Sequence, residues 1–339
     1  MIILSRKNFI KNGAFTLAAL ALHRQTLGQG LTHADPAFVG SFHKSTGGPT
    51  TFKSFFCAGL SASQREWIAD KTDLTAETTS ALTTANLSQQ RYALAGAGNR
   101  HKSFFCGGRD PNNFAVVTAD KINLTTNTNA AVAGANLSLA RSALGAAGNI
   151  DKLFFCGGDS NSDEATADKI NLSSETTAAV SGANLSQARR GVTGAGNGQK
   201  SFFCGGQTTD KLATADKTVL ATETTAAVSG ANLTTARSYV QAAGNDAKSF
   251  FCGGYTTVNV AIADKVDLTS ETTSAITGAN LSTSRHGGAG AGNSDKTFFC
   301  GGHDGSYVAT ADKLTLSTET TAAVSGANLS LARGYIGGA

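Results

Sequence analysis

Two hydrophobic patterns alternate along this chain. One is a short unbroken run, such as Phe154-Phe155-Cys156, that ends in paired small residues. The other is a period-two alternation, in which Asp168, Ile170 and Leu172 share one side of an extended segment and Lys169 and Asn171 take the other. Read over one stretch, residues 141–189, these patterns predict four strands. Residues 142–148 form a strand of small residues, able to crowd near an axis. Residues 149–151 turn the chain through Asn and Asp side chains that bond their own backbone. Residues 152–156 are the second strand, which Gly157-Gly158 end where backbones approach closely. A loop leads to the third strand, 166–172. A Ser-Ser-Glu turn follows, then a β-branched outer strand, 176–180, and a link over 182–189 that ends in Arg189.

This unit occurs six times. The Phe-Phe-Cys phrase begins at Phe55, Phe104, Phe154, Phe202, Phe250 and Phe298, at spacings of 49, 50, 48, 48 and 48 residues, and it uses all six cysteines. Strand-rich units of this period predict a β-propeller with one unit per blade. The repeats begin at a second strand (residues 53–57) and end with a lone first strand (residues 334–339). The closing strand must therefore pair inside the first blade, which removes the capping problem of an open array. The expected fold is all-β, a six-bladed propeller over residues 53–339, preceded by a helical or extended anchor segment and linker over 1–52.

A strand ending in Gly-Gly, a short loop, a strand carrying an acidic residue, Thr-rich β structure and a link ending in Arg together resemble the kelch repeat. The likeness spans residues 53–339. It lacks the fourth-strand tryptophan of that repeat; the single Trp67 falls in a predicted loop. The variant Phe-Phe-Cys-Gly-Gly, Ala-Asp-Lys-Ile-Asn-Leu and Leu-Ser-x-Ala-Arg is similar to kelch-like repeats of bacteriophage tail fibres, especially those of cyanobacterial phages. This resemblance implies a virion component that attaches to a host surface.

Charge narrows the partners. The chain carries 28 basic and 24 acidic residues. Residues 1–52 hold five basic groups (Arg6, Lys7, Lys11, Arg24, Lys44) against Asp35, so the other 23 of each sign cancel over 53–339. A neutral propeller lacks the field that phosphate backbones require, and nucleic acid is not an expected partner. The cysteines stand at equivalent points of neighbouring sheets, roughly 10 Å apart, beyond disulfide reach. They are expected to be small core groups. With no CxxC pair and no histidine in repeat register, neither a metal nor a cofactor is expected.

The N-terminus reads Ser5-Arg6-Lys7-Asn8-Phe9-Ile10-Lys11 and then a ten-residue apolar run, 13–22. This is too short to span a bilayer. It resembles a twin-arginine export signal with Lys7 in place of the second arginine, and a cleavage candidate lies at residues 32–34. The alternative is a retained amphipathic helix that buries Phe9, Ile10, Leu17 and Leu20 against other virion proteins.

Two sets of positions are candidates for function. Sixfold-repeated charges are Asp70, Asp120, Asp168, Asp216, Asp264 and Asp312 with Arg91, Arg141, Arg189, Arg237, Arg285 and Arg333, accompanied by Lys71, Lys121, Lys169, Lys217, Lys265 and Lys313. A buried carboxylate needs compensation, so the aspartates are read as scaffold, paired with arginine or with turn amides. The recurring Asn-Leu-Ser/Thr, formally a glycosylation sequon, is read as turn-forming. The loops between second and third strands, by contrast, differ in every repeat. Arg65 and Trp67, then Arg109, Asn112, Asn113 and Phe114, then Asp159 and Asp163 come from the first three. Gln207 and Asp210, Tyr255 and Asn259, and His303, Asp304 and Tyr307 come from the rest. Alternating strands bring all six loops to one face, and such a face suits a glycan or a protein surface.

The expected function is non-enzymatic: a virion structural and binding module, a tail fibre or other appendage component, anchored through 1–52 and presenting its loop face to a host-surface glycan or protein. The alternative is an exported bacterial kelch-like protein, secreted or periplasmic, that binds envelope polysaccharide. No nucleophile with a base and no in-register histidine supports an enzyme.

Overall fold

The structure, a computed structural model, describes residues 41–42 and 52–339. The expectations for the N-terminal anchor, signal and cleavage site fall on residues outside these. The described residues form six antiparallel sheets of four strands, chain-consecutive in five of them, arranged as a β-propeller. Blade 3 is representative, with strands Gly145–Gly148, Lys152–Asp159, Asp163–Asn171 and Thr176–Ala179 from the axis outwards. Blade 1 takes its inner strand from the C-terminal end of the repeats. Gly337–Gly338 pairs with Lys53–Leu60, with Gly338 opposite Phe56. A two-residue strand, Ser41–Phe42, adds in parallel to the inner strand Ala289–Asn293 of blade 6.

The doubled phenylalanine follows from the stacking of blades. Each sheet is covered on both faces, so a second strand buries every side chain rather than alternate ones. Phe104 and Cys106 of blade 2 pack with Phe155 and Ile170 of blade 3, whereas Phe105 points back into the cluster of blade 1. The same division holds for Phe154 with Cys156 against Phe203, for Phe202 with Cys204 against Phe251, and for Phe250 with Cys252 against Phe299. The first phenylalanine and the cysteine thus face the next blade, and the second phenylalanine faces the previous one. All six thiols are free and buried, and burial pushes each well above its usual range.

The links between blades are held by charge. Arg237 ends the link into blade 5. Its Nη1 bonds Asp264 Oδ2 at 2.8 Å, its Nε donates to Gly253 O at 2.9 Å and its Nη2 to Phe251 O at 3.0 Å. The same carboxylate accepts the Thr234 N–H at 3.0 Å and hydroxyl at 2.6 Å. Equivalent pairs join Arg91 to Asp120, Arg141 to Asp168, Arg189 to Asp216 and Arg285 to Asp312, at 2.6–2.8 Å and almost fully buried. The last, Arg333 with Asp70 at 2.8 Å, ties the end of the array to its beginning and also donates to Ala58 O and Phe56 O. Each link opens with one 3-10 turn. The Asn that ends it, such as Asn184, accepts the Ala167 N–H of the third strand at 2.9 Å, the turn-holding role read from the sequon pattern.

The repeated lysines brace the opposite face. Lys102 and Lys121 of blade 2 share the carboxylate of Glu175, from the outer turn of blade 3, at 2.6 and 2.7 Å. Glu223, Glu271, Glu319 and Glu77 are clamped in the same way by a lysine pair from the preceding blade. Desolvation works against the charge of each glutamate, but the two lysines together outweigh it and hold the carboxyl below its usual range.

Two expectations need correction. Arg65, Trp67, Asp159 and Asp163 lie in strands, not loops, because in blades 1 and 3 the second strand continues past the small-residue pair instead of ending there. A bulge at Cys57/Gly59 lets Leu60 pair with Arg65, and one at Cys156/Gly158 lets Asp159 pair with Asp163. The third strand of blade 1 therefore starts at Arg65. In addition, the inner strand of blade 3 begins at Gly145 rather than at residue 142. Ala143 has a left-handed φ of 54°, which breaks the extended run before it.

Removing one member of a buried ion pair leaves the other charge uncompensated, at a cost of about 3–5 kcal/mol. Asp264→Leu is expected to lower unfolding stability by that amount in urea titrations. The double change Arg237→Met with Asp264→Leu should lose less than the single one.

Candidate functional site

The residue two places after each link arginine turns inward at the axis. These residues are Ala93, Ala143, Gly191, Tyr239, Gly287 and Tyr335, all with φ between 53° and 68°. Each donates its backbone N–H to the carbonyl of the equivalent residue one blade back. Ala143 bonds Ala93 at 2.7 Å, Gly191 bonds Ala143 at 2.7 Å, and Tyr239 bonds Gly191 at 2.8 Å. Gly287 bonds Tyr239 at 2.9 Å, Tyr335 bonds Gly287 at 2.5 Å, and Ala93 bonds Tyr335 at 2.8 Å. The result is a closed six-membered ring of hydrogen bonds around the axis. Left-handed backbone is costly for residues other than glycine, and here the ring and the flanking strands hold four of them in it. A cavity of about 90 Å3 adjoins the ring and is lined by the inner strands. The buried Gln241 amide also lines it, and neither its oxygen nor its nitrogen has a hydrogen-bond partner among the described residues.

Aromatic side chains gather over this ring on the loop face. Tyr239 and Tyr335 meet edge to face with centroids 5.4 Å apart, and Tyr92 meets Tyr335 in the same way at 6.4 Å. His286 touches Tyr239, Tyr255, His303 and Tyr335 at 5.3–6.0 Å, and His303 meets Tyr307 at 5.1 Å. Two cations edge the patch, Arg65 over Tyr92 at 5.7 Å and Lys211 over Tyr255 at 5.0 Å. Such contacts are worth about 0.5–1 kcal/mol at exposed sites.

Hydrogen bonds define the state of His286. Asn259 Oδ1 lies 2.7 Å from Nδ1, and Tyr335 Oη lies 2.8 Å from Nε2. An amide oxygen only accepts, so Nδ1 carries the proton, and the Tyr335 hydroxyl donates to Nε2. A neutral ring satisfies both bonds. Burial, with help from His303 and Lys211, lowers the pKa of His286 to about 4. Burial and the neighbouring phenols push Tyr335 up to about 12. Neither His286 nor Tyr335 is poised as a neutral-pH acid or base.

The structure gathers some of the loop residues read from the sequence and leaves others apart. Tyr255, Asn259, His303 and Tyr307 belong to the aromatic patch, with Arg65 and Gln207 at its edge; Gln207 accepts from Lys211 Nζ and from the Ser238 hydroxyl. Arg109 and Asp159 form an ion pair at 3.2 Å, Asp163 binds Arg190 at 2.5 Å, and Asn113 accepts from Tyr92 Oη at 2.5 Å. Phe114 and Trp67 are exposed, at 70% and 46%. Asn112, Asp210 and Asp304 are also exposed, on the loops and outside the patch. The sequence reading missed Tyr92, Tyr239, His286 and Tyr335. All four follow a link arginine by one or two places, where the repeats also diverge: Tyr-Ala, Ser-Ala, Arg-Gly, Ser-Tyr, His-Gly and Gly-Tyr. That variation was the available signal.

The fold and site together define a β-propeller with an aromatic patch over its axis. No protein-family model matches the chain, and no curated protein matches it. Among the described residues, no group of three His, Cys, Asp or Glu side chains is placed to hold a metal ion, and no helix is long and apolar enough to cross a membrane.

The pKa of His286 carries a testable sign. Between pH 6.5 and about 4 the unfolded chain takes up a proton that the folded ring refuses, so this residue's contribution to stability falls as pH is lowered through that window. In an NMR titration the His286 ring is expected to stay in its Nδ1–H form until about pH 4. Tyr335→Phe removes the donor to Nε2 and should raise the midpoint.

Proposed function

We propose that this protein is a non-enzymatic binding module whose ligand is a glycan taken by the aromatic patch of the loop face, displayed on a virion appendage against a host surface. The observation that carries the reading is where the repeats differ. Cores, ion pairs and links are near copies, while Tyr92, Tyr239, Tyr335 and His286 of the patch follow link arginines at positions that vary between repeats, and Tyr255 and His303 open loops that vary. Tyr307 lies in a loop that also varies. Tyrosine faces with amide and cationic neighbours stack on sugar rings and bond their hydroxyls. The similarity of the repeats to phage tail-fibre repeats and the neutral charge of the propeller support placement on a virion.

Binding is read out on a glycan array and then by calorimetry with the best glycan. Replacing Tyr92 or Tyr255 with Ala should weaken affinity by about tenfold or more while leaving the melting temperature nearly unchanged. Unaltered affinity in both variants would remove the patch from consideration. Placement is tested separately, by mass spectrometry of purified particles. The protein should be found there with Met1 or Ile2 at its start. Recovery only of chains beginning near Asp35, in a secreted or periplasmic fraction, would favour the exported polysaccharide-binding alternative.

A further inference from the structure

The lysine clamps of the face opposite the loops are complete at five blade junctions and incomplete at the sixth. At each of the five, a glutamate in the outer turn of one blade gives one carboxylate oxygen to each of two lysines of the preceding blade. Between blades 1 and 2 the lysines are Lys53 and Lys71, but the turn carries Asn127. The backbone there is unchanged: Asn127 has φ 55°, and the five glutamates have φ between 54° and 57°. Lys53 Nζ bonds Asn127 Oδ1 at 3.0 Å and Leu124 O at 3.2 Å. Lys71 has no hydrogen-bond or ion-pair partner among the described residues. Burial and the like charge of Lys71 depress the pKa of Lys53, which Asp73 only partly offsets. Asp73 itself is occupied in accepting the N–H groups of Thr75 and Ala76.

We propose that this junction is a binding site for a carboxylate group, held between Lys53 Nζ and Lys71 Nζ with the Asn127 amide alongside. The five intact junctions are the template, because the same fold places the same two ammonium groups around a carboxylate in each. Replacing one glutamate by asparagine removes the negative charge and leaves both positive ones. A side-chain amide offers a single acceptor oxygen and a donor NH2, so it cannot serve two ammonium groups as a carboxylate does. The ligand class is therefore a small carboxylate or the carboxylate of an acidic side chain. The site is on the face opposite the aromatic patch and does not depend on the glycan reading.

The test measures thermal unfolding of the full chain at pH 7 and constant ionic strength, with chloride exchanged for acetate or for N-acetylglutamate amide. N-acetylglutamine amide serves as the neutral control. Asn127→Glu rebuilds the clamp on a backbone that already accepts Glu at five equivalent positions. It should raise the melting temperature by about 1–2 °C in chloride. The wild type should then gain about 1–2 °C more from the carboxylates than Asn127→Glu does, and Lys71→Ala should lose that excess. A response to acetate indicates a site open to any small carboxylate. A response to the glutamyl compound alone indicates a site for an acidic side chain, and both support the assignment. Equal increments in wild type, Asn127→Glu and Lys71→Ala, or an equal response to the neutral amide, would overturn it.

Discussion

A buried arginine–aspartate pair, repeated six times, is the constraint on which this propeller depends. Sheets that stack face to face through small residues and phenylalanine have no intrinsic reason to stop at a particular neighbour or to hold a fixed rotation. The pair supplies one. Its arginine comes from the link out of one blade, its aspartate from the third strand of the next, and its remaining N–H groups are used on backbone carbonyls beside the glycine pair. Burying two charges needs compensation, and each pair finds it in the opposite charge and in carbonyls of the next blade. The geometry varies: Arg91 reaches Asp120 through Nη2 rather than Nη1, and Oδ1 of Asp70, Asp168, Asp216 and Asp312 is buried without a partner among the described residues. At the ring closure it has an added role. The inner strand of blade 1 is a two-residue strand extended by reciprocal bonds of Ala339 with Phe55 and of Gly334 with Leu60, and Arg333 binds across that seam to Asp70 and two carbonyls of the first blade.

Repetition also separates structure from function. Where the six units agree, the side chains are buried, clamped, or part of the largely exposed Thr- and Ala-rich outer strand. Where they disagree, the side chains reach the loop face near the axis, lie in the exposed loops around it, or fall in turns of the opposite face, as at Asn127 and at Arg100-His101 against Ile150-Asp151. The backbone ring formed by Ala93, Ala143, Gly191, Tyr239, Gly287 and Tyr335 makes this division workable, because it carries alanine, glycine or tyrosine on the same hydrogen bonds. The glycines also leave room for the tyrosines: a Cβ at Gly191 would lie 3.3 Å from the Tyr239 ring, and one at Gly287 would lie 3.3 Å from Tyr335. The aromatic patch is built from pairs in which one repeat supplies the ring and its neighbour supplies the space.

Much of the fold was legible in the chain. The period, the six Phe-Phe-Cys runs and the lone first strand at the end of the repeats define the number of blades and the closure, since strand count and repeat register are properties of sequence spacing. Trp67 and the left-handed turn at Ala143 were misjudged for a shared reason. A β-bulge and a positive φ at alanine are set by what the neighbouring strand and blade require, and local propensity opposes both. The site was half legible. The loop residues were found because loops vary, but Tyr92, Tyr239, His286 and Tyr335 sit at the head of strands that otherwise look copied.

Sequence alone determined the architecture, because a hydrophobic repeat of fixed length can bury its faces only against copies of itself. Tertiary structure decided which of the variable residues meet. Tyr92 and Tyr335 stand 243 positions apart and come into edge contact only because the ring closes. His286 stays neutral down to about pH 4 only because the fold buries it beside Asn259, Tyr335, Tyr239, Tyr255, His303 and Lys211. Proximity across a closed ring depends on the rotation between blades, which is a property of packing that no single repeat contains.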